Sequence, residues 1–261
     1  MHIEHGVAWD VEDGLGRIEL RRPDRANSLE TVAAHALARA IHSVLDAKPK
    51  VVLLSAEGNI FCAGGDIQEF ERAGDRFDDL VDAILEPLHP AIARLATNDA
   101  PVISVVNGAL GGAGVGVALC ADIVLASTQM KLRTGYAALG LSHDLGSSCF
   151  LARRVGTQRA KRWLLLSDAI DAQTCLQVGA VDALHPPAQL VEQAEALAQR
   201  LLRGARGSHA AIKRLCDGAL DRNLSEHLAL EHALLRDQTR TADALEGVGA
   251  FLARRPPQFQ A

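Results

Sequence analysis

The chain has 261 residues, 48% of them hydrophobic, which suits one large domain or one domain with an appendage. Its net charge of −5 comes without a basic block, which argues against nucleic acid as the main partner. No apolar run approaches the ~20 residues of a membrane span. Residues 1–5 have neither the basic start nor the apolar core of a secretion signal. We therefore expect a cytoplasmic protein with no membrane partner.

Cysteine usage favours reduced, mostly buried thiols and gives no metal site. The cysteines are odd in number, widely spaced and free of paired C-x-x-C motifs. They are Cys62, Cys120, Cys149, Cys175 and Cys216. Because no cluster of histidine, cysteine and carboxylate residues has the spacing of metal ligands, we expect no metal.

The chain begins with the pattern of a β-hairpin. Residues 6–10 and 16–20 are predicted strands around a turn that contains glycine. A polar loop then leads into a helix over about residues 30–46, for which Asn27 or Ser28 is the candidate N-cap.

Two units follow, each with a buried strand, a glycine loop and a helix. In the first, strand 51–55 leads to the sequence FCAGGD (61–66), which we call the first glycine loop. In the second, strand 101–106 leads to the sequence NGALGGAG (107–114), the second glycine loop. Between them, an amphipathic helix is predicted over residues 77–97, and two internal prolines should kink or divide it.

The second glycine loop is the most informative stretch. A strand, a glycine loop and a helix of small residues in that order present free backbone N–H groups, which stabilise negative charge. The loop lacks the Lys-Ser or Lys-Thr of a phosphate loop and the G-x-G-x-x-G spacing of a dinucleotide site. It therefore suits a single oxygen better than a nucleotide. The alternative is a tight turn before a buried helix.

The rest of the chain is mainly helical. Short strands are predicted at 122–126, 130–132 and 181–184, and helices at 147–155, 158–167, 190–202, 208–220, 225–236 and 241–253. Residues 204–207 are the best candidate boundary. We therefore predict a core over 1–204 and a helical oligomerisation region over 205–261.

Five motifs resemble the enoyl-CoA hydratase/isomerase, or crotonase, family. They are RPDRANSL (22–29), FCAGGDI (61–67), NGALGGAGVGVALCAD (107–122), GLSHDLGSS (140–148) and AFLARRPPQF (250–259). They follow the family's order and spacing across essentially the whole chain. The resemblance implies an α/β fold, a spiral of β-β-α repeats with a helical C-terminal trimerisation region, and hence a homotrimer or a dimer of trimers.

The resemblance also implies an acyl-CoA thioester as substrate, with no separate cofactor because coenzyme A enters as part of the substrate. In the family two backbone N–H groups hold the thioester oxygen, and the matching positions here are Gly65 and Ala113. Ala63 and Gly112, in the same two loops, are implied substrate contacts. A plain turn at each loop is the alternative. Two N–H groups aimed at one oxygen form an oxyanion hole.

The family's hydratases use two glutamates to position and activate water. The matching positions here are Gly116 and Tyr136, so both carboxylates are missing. This departure counts against efficient hydration by the usual route. Tyr136 is expected either to donate a hydrogen bond inside the acyl pocket or to pack there.

Asp144 is the remaining acid of interest. In some isomerases of the family and in a dehalogenase, an aspartate at the matching loop position is the base or nucleophile. The string 136–144 looks most like the 1,2-epoxyphenylacetyl-CoA isomerase branch, although His143 stands where that branch usually has proline. The alternative is that Asp144 caps the helix starting near Ser147.

Further substrate contacts are implied outside the two loops. Arg25 and Ala26 match residues that line the pantetheine and phosphates of CoA, and Asp66 is expected to cap its helix close to the adenine. Leu235 and Arg254 match C-terminal positions that reach CoA, in some members from a neighbouring subunit. For Arg254, surface solvation is the alternative.

Together these residues predict an isomerase acting through a thioester enolate. Gly65 and Ala113 would hold the enolate oxygen while Asp144 removes a proton and returns it elsewhere, in a double-bond isomerisation or a related ring-opening isomerisation. The alternatives are a hydratase that uses Asp144 and water, and a non-catalytic acyl-CoA binder.

Overall fold

Two β-sheets with helices packed on them make up the protein, in a computed structural model that describes residues 1–259. The strands are β1 (His2–Glu4), β2 (Val7–Glu12), β3 (Leu15–Leu20), β4 (Val51–Ala56), β5 (Ile60–Cys62), β6 (Val102–Val106), β7 (Ala109–Gly111), β8 (Ile123–Ser127), β9 (Lys131–Arg133), β10 (Ile170–Asp171) and β11 (Ala183–His185). The helices are α1 (Thr31–Asp46), α2 (Ile67–Ala73), α3 (Phe77–Thr97), α4 (Ala113–Leu119), α5 (Ser147–Val155), α6 (Thr157–Leu166), α7 (Ala172–Gln177), α8 (Pro187–Leu202), α9 (Arg206–Asp217), α10 (Leu224–Gln238) and α11 (Ala242–Leu252).

The sheet topology confirms the predicted spiral of β-β-α repeats. The larger sheet has the order β1-β2-β3-β4-β6-β8-β11, antiparallel in its first three strands and parallel from β3 onward. The smaller sheet has the order β10-β9-β7-β5, with parallel pairing from β5 to β9. From β4 to β9, consecutive strands therefore enter different sheets, and three such turns (β4 and β5, β6 and β7, β8 and β9) advance the spiral.

The central strands β4 and β6 are buried along most of their length, as their near-continuous apolar sequences require. Helices α1 and α3 cover one face of the larger sheet and α8 covers the other. Strands β5 and β7 lie in segments that the sequence assigned to loops. Each is three residues long, too short for a periodicity to be recognised.

The predicted N-caps of α1 were wrong. The helix begins at Thr31, whose backbone N–H donates a hydrogen bond of 2.9 Å to the carboxylate of Glu69 in α2. Asn27 instead accepts from the N–H of Arg22 and donates to the carbonyls of Glu57 and Ile60. Long-range contacts thus replace a local cap, and they fasten residues 22–31 to the start of the first glycine loop.

Of the two effects predicted for the prolines of α3, division is wrong and a kink stays a prediction, since the helix runs from Phe77 to Thr97 with Pro87 and Pro90 inside it. Proline removes a helix hydrogen bond and usually breaks a helix. Here Leu88 and Ala91 are fully buried beside the two prolines, so packing of the apolar face offsets the loss.

Thiol burial follows the prediction only in part. Three of the free cysteines are buried, whereas Cys149 and Cys216 are exposed because they lie on outward faces of α5 and α9. Among residues 1–259, no helix is both long and apolar enough to cross a bilayer.

Helix α9 is joined to the core by an ion pair in which the lysine is buried and the aspartate half-buried. Lys213 of α9 is 8% exposed, and its Nζ donates to the carbonyl of Ala100 at 2.9 Å and to Asp122 at 2.6 Å. The same carboxylate accepts the N–H of Val102 at the start of β6. The division near residue 204 stays a prediction.

Replacing Lys213 by methionine should lower the free energy of unfolding by ~2–4 kcal/mol, because it leaves Asp122 without its cation and a buried carbonyl without its donor. Arg39→Met is the matched control, since the Arg39–Glu4 pair is largely exposed and should be worth less than ~1 kcal/mol. Urea unfolding of both variants measures the difference. Equal losses would show that the Lys213 pair contributes no more than a surface pair.

Candidate active site

A cavity of about 810 Å³ opens between the two glycine loops, α3 and the segment 131–145. Its wall on the side of α2 and α3 is apolar and is made by Ile67, Phe70, Phe77, Val81, Ile84 and Leu85. Polar side chains that line the cavity gather around Asp144, among them Tyr136 and His143. An apolar cavity with a few convergent polar groups is typical of a small-molecule site.

The two glycine loops meet at this cavity because β5 and β7 are parallel neighbours, so the segments that follow them leave the same edge of the sheet. Gly64 has φ +94°, and a Cβ added there would lie 3.0 Å from the backbone nitrogen of Ala113. Only glycine allows this approach. Gly65 and Ala113 both line the cavity, and within residues 1–259 neither backbone N–H has a backbone or side-chain acceptor.

Asp144 lines the same cavity, and its Oδ1 accepts a hydrogen bond from the hydroxyl of Tyr136, a residue only 9% exposed. Burial raises the pKa of Asp144 above the ordinary aspartate value, while the bond from Tyr136 and the nearby His89 and His143 act in the opposite direction. The result is a half-buried carboxylate that is a stronger base than an exposed one.

Two further side chains complete this cluster. Burial, with the charge of Asp144 second, raises the pKa of Tyr136, so its hydroxyl stays protonated and donates. The ring of His143 packs on that of Tyr136 with centroids 4.6 Å apart. Burial lowers the pKa of His143, and its buried Nε2 has no hydrogen-bond partner within the described residues.

The capping role considered for Asp144 is wrong for its side chain. Helix α5 begins at Ser147 with Gly146 as its N-cap, and Asp144 contributes only its main-chain carbonyl, to the N–H and the hydroxyl of Ser147. Its carboxylate is the only one among the described residues that line the cavity.

The position that the resemblance matched to a hydratase glutamate has no space for a side chain. Gly116 is buried in α4, and a Cβ there would lie 2.3 Å from the carbonyl oxygen of Leu145. The chain segment that carries Asp144 thus occupies the space beside α4. A second carboxylate at this position would require that segment to move.

Among the other predicted residues, Ala63 and Gly112 line the cavity. The predicted capping by Asp66 is confirmed, since its Oδ1 accepts the N–H groups at the start of α2 at 2.9 and 3.2 Å. Arg25 pairs with Asp66 at 2.9 Å, and the carbonyl of Ala26 accepts the N–H of Ala63. These three residues support the first glycine loop and do not line the cavity.

The structure does not bring Leu235 or Arg254 to this cavity. Both are exposed, one on α10 and the other just after α11. A role at a neighbouring subunit's site stays a prediction.

His89 lines the cavity from α3, where the sequence did not predict a site residue, and its Nε2 accepts a hydrogen bond of 3.4 Å from the N–H of Leu145. Its position between two prolines in an otherwise amphipathic helix was the available signal. Within the described residues, no group of three or more histidine, cysteine or carboxylate side chains is placed to hold a metal ion.

The two-sheet spiral and its cavity between glycine loops define a crotonase-fold protein. The crystal structure of an enoyl-CoA hydratase from Polaromonas sp. JS666 is similar with a TM-score of 0.90 and 29% identity, covering 97% of this chain and 99% of that one. Residues 10–261 match the family model described as enoyl-CoA hydratase/isomerase. The chain therefore belongs to the enoyl-CoA hydratase/isomerase family.

Its relatives carry names of both activities. A protein of Rhodobacter capsulatus described as a probable enoyl-CoA hydratase is 32% identical over 98% of both chains. The 1,2-epoxyphenylacetyl-CoA isomerase of Escherichia coli is 34% identical over 95% of this chain and 96% of its own. The comparisons therefore establish the family and leave hydration and isomerisation both open.

Proposed function

We propose that the protein is an enoyl-CoA isomerase that acts through a thioester enolate. The observation that carries this proposal is that Asp144 is the single carboxylate lining the cavity among the described residues. Gly65 and Ala113 line the same cavity, and within those residues their backbone N–H groups have no acceptor. One base moves a proton between two carbons, whereas the family's usual hydration employs two carboxylates.

In the proposed reaction the N–H groups of Gly65 and Ala113 donate to the thioester oxygen of a 3-enoyl-CoA. They stabilise the negative charge that develops when Asp144 removes a proton from the α carbon. The electron pair of that C–H bond enters a dienolate, and Asp144 returns the proton to the γ carbon. The product is the 2-enoyl-CoA, and no cofactor or external reactant is consumed.

Other predicted residues would hold the CoA portion. Arg25, Ala26 and Asp66 lie beside the first glycine loop, where an entering phosphate would compete for Arg25 with its present partner Asp66. Ala63 and Gly112 would contact the thioester end. These contacts bind substrate in any family member and do not distinguish an isomerase.

Two alternatives remain. A hydratase would use Asp144 to activate water, and the cluster of Asp144, His143 and His89 is polar enough to hold one. A non-catalytic acyl-CoA binder would use the cavity without the base. Both are separated from the isomerase by following the fate of the α proton.

Asp144→Asn should lower the rate of 3-enoyl-CoA isomerisation by about 10²–10⁴-fold, the usual worth of a positioned base. The wild-type protein should isomerise a 3-enoyl-CoA faster than it hydrates crotonyl-CoA, and should exchange solvent deuterium into the α or γ carbon. Initial rates and mass spectrometry of the products measure both.

Stability provides the control for this variant. Because burial raises the folded pKa of Asp144, the ionised carboxyl destabilises the fold progressively as pH rises from the ordinary aspartate pKa through the raised one. Asn keeps an oxygen for Tyr136 and carries no charge, so Asp144→Asn should be at least as stable as wild type at neutral pH. Hydration without exchange in wild type would contradict the isomerase, and acyl-CoA binding without either reaction would favour the binder.

Ala113→Pro should lower kcat by about 10²–10³-fold, because proline has no N–H to donate to the thioester oxygen. Ala113 is the first residue of α4, a position that tolerates proline. The control is Ala242→Pro at the equivalent position of α11, far from the glycine loops in sequence and exposed, which should keep full activity. Circular dichroism checks that both fold, and unchanged kcat in Ala113→Pro would remove this N–H from the mechanism.

We also propose a homotrimer or a dimer of trimers, because α10, α11 and the turn before α10 leave large apolar side chains exposed. Leu220 is 89% exposed and Phe251 83% exposed, with Leu224, Leu228 and Leu235 also exposed. Light scattering at micromolar concentration should give three or six times the chain mass. A monomer would contradict the proposal and the shared-site roles of Leu235 and Arg254.

A further inference from the structure

We infer that Tyr136 is a positioning residue, whose hydroxyl holds one oxygen of Asp144 so that the other oxygen carries the proton. The inference rests on the proposed role of Asp144 as the base. It gives a partner to the first of the two roles that the sequence suggested for Tyr136, a hydrogen bond inside the acyl pocket or packing there.

The hydroxyl of Tyr136 has one proton and donates it in a hydrogen bond to Asp144 Oδ1, so this hydroxyl is not free to donate to a substrate. Tyr136 begins a short 3₁₀ turn, Tyr136–Leu139, and its ring is buried against His143. The ring position is therefore set by packing. The hydrogen bond fixes the carboxylate on the cavity wall.

Other groups also face Asp144, and none replaces this bond. His143 and, from α3, His89 lie close enough to favour the charged carboxylate, but within the described residues neither side chain donates a hydrogen bond to it. Cys62 of β5 also lies nearby, and burial raises the pKa of its thiol to about 12, so it stays neutral. Among the described residues, Tyr136 is the side chain that donates a hydrogen bond to the Asp144 carboxylate.

A hydrogen bond to the charged form of an acid favours ionisation. Tyr136 therefore works against the desolvation of Asp144 and keeps the base ionised at a lower pH than burial alone would allow. Without the hydroxyl, the acid limb of the pH–rate profile should move to higher pH. A purely structural side chain would not move it.

The chain offers an unusually direct test because Tyr136 is its only tyrosine. Growth on 3-fluorotyrosine therefore modifies this residue alone, and fluorine makes the phenol more acidic and a stronger donor. Tyr136→Phe removes the donor with little change of shape. The acid limb of kcat for 3-enoyl-CoA isomerisation should lie at the highest pH for Phe, lower for Tyr and lowest for fluorotyrosine.

Tyr136→Phe should also lower kcat at neutral pH by about 10- to 100-fold, the range for losing a hydrogen bond to a charged group. KM should change little, because the hydroxyl does not bind substrate. Ser142→Ala is the matched control, since it removes a hydroxyl from the cavity rim that has no bond to Asp144 among the described residues. Ser142→Ala should leave the acid limb of the pH–rate profile at the same pH as in the wild type.

A measurement without substrate separates this inference from the proposed function. With aspartate labelled by ¹³C at its carboxyl carbon, the Asp144 resonance is assigned by its loss in Asp144→Asn. Its titration should move to higher pH in Tyr136→Phe and stay in place in Ser142→Ala.

Each outcome decides between the two claims. If Asp144→Asn is inactive while the titration and acid limb are the same in all Tyr136 variants, the positioning role is wrong and the isomerase stands. If Asp144→Asn keeps its activity, the proposed function fails. A titration that does not shift in Tyr136→Phe overturns the inference in either case.

Discussion

The close approach of the two glycine loops is the constraint on which the site depends. Parallel pairing of β5 with β7 brings the loops to one edge of the smaller sheet, and the missing side chain of Gly64 lets the backbone of Ala113 lie against it. A side chain there would separate the loops. Gly65 and Ala113 would then no longer line one cavity, whatever acid stood beside them.

Two buried or half-buried acids show how the surroundings of a carboxylate decide its use. Asp122 accepts hydrogen bonds from Lys213 and from the N–H of Val102, so its negative charge is compensated and it joins α9 to the core. Asp144 meets one neutral donor, Tyr136, and no cation is bonded to it among the described residues. Its burial costs stability, and the same burial makes it a stronger base.

Packing around Asp144 also affects the two positions that the resemblance matched to the glutamates of hydratases. The carbonyl of Leu145 lies where a side chain at Gly116 would begin, and Tyr136 fills the other position with a neutral donor. The small residues of α4 and the turn that begins at Tyr136 therefore act together to position the segment that carries Asp144. Among the described residues, Asp144 is the one carboxylate that lines the cavity, and this is the physical basis for proposing proton transfer between carbons in place of hydration.

Strand length and glycine position are local signals, so the sequence predicted most of the element order and both glycine loops. The prediction of Asp144 as the base came from the resemblance to the family. Local signals predicted the wrong structure where residues distant in sequence make the contacts. Glu69, and not Asn27 or Ser28, accepts the N–H at the start of α1, and burial of the apolar face of α3 keeps that helix continuous. Only the tertiary structure could join Tyr136 to Asp144 and place His89 beside them. These contacts depend on how the segment 131–145 folds back over α4 and α3, and no periodicity encodes that path.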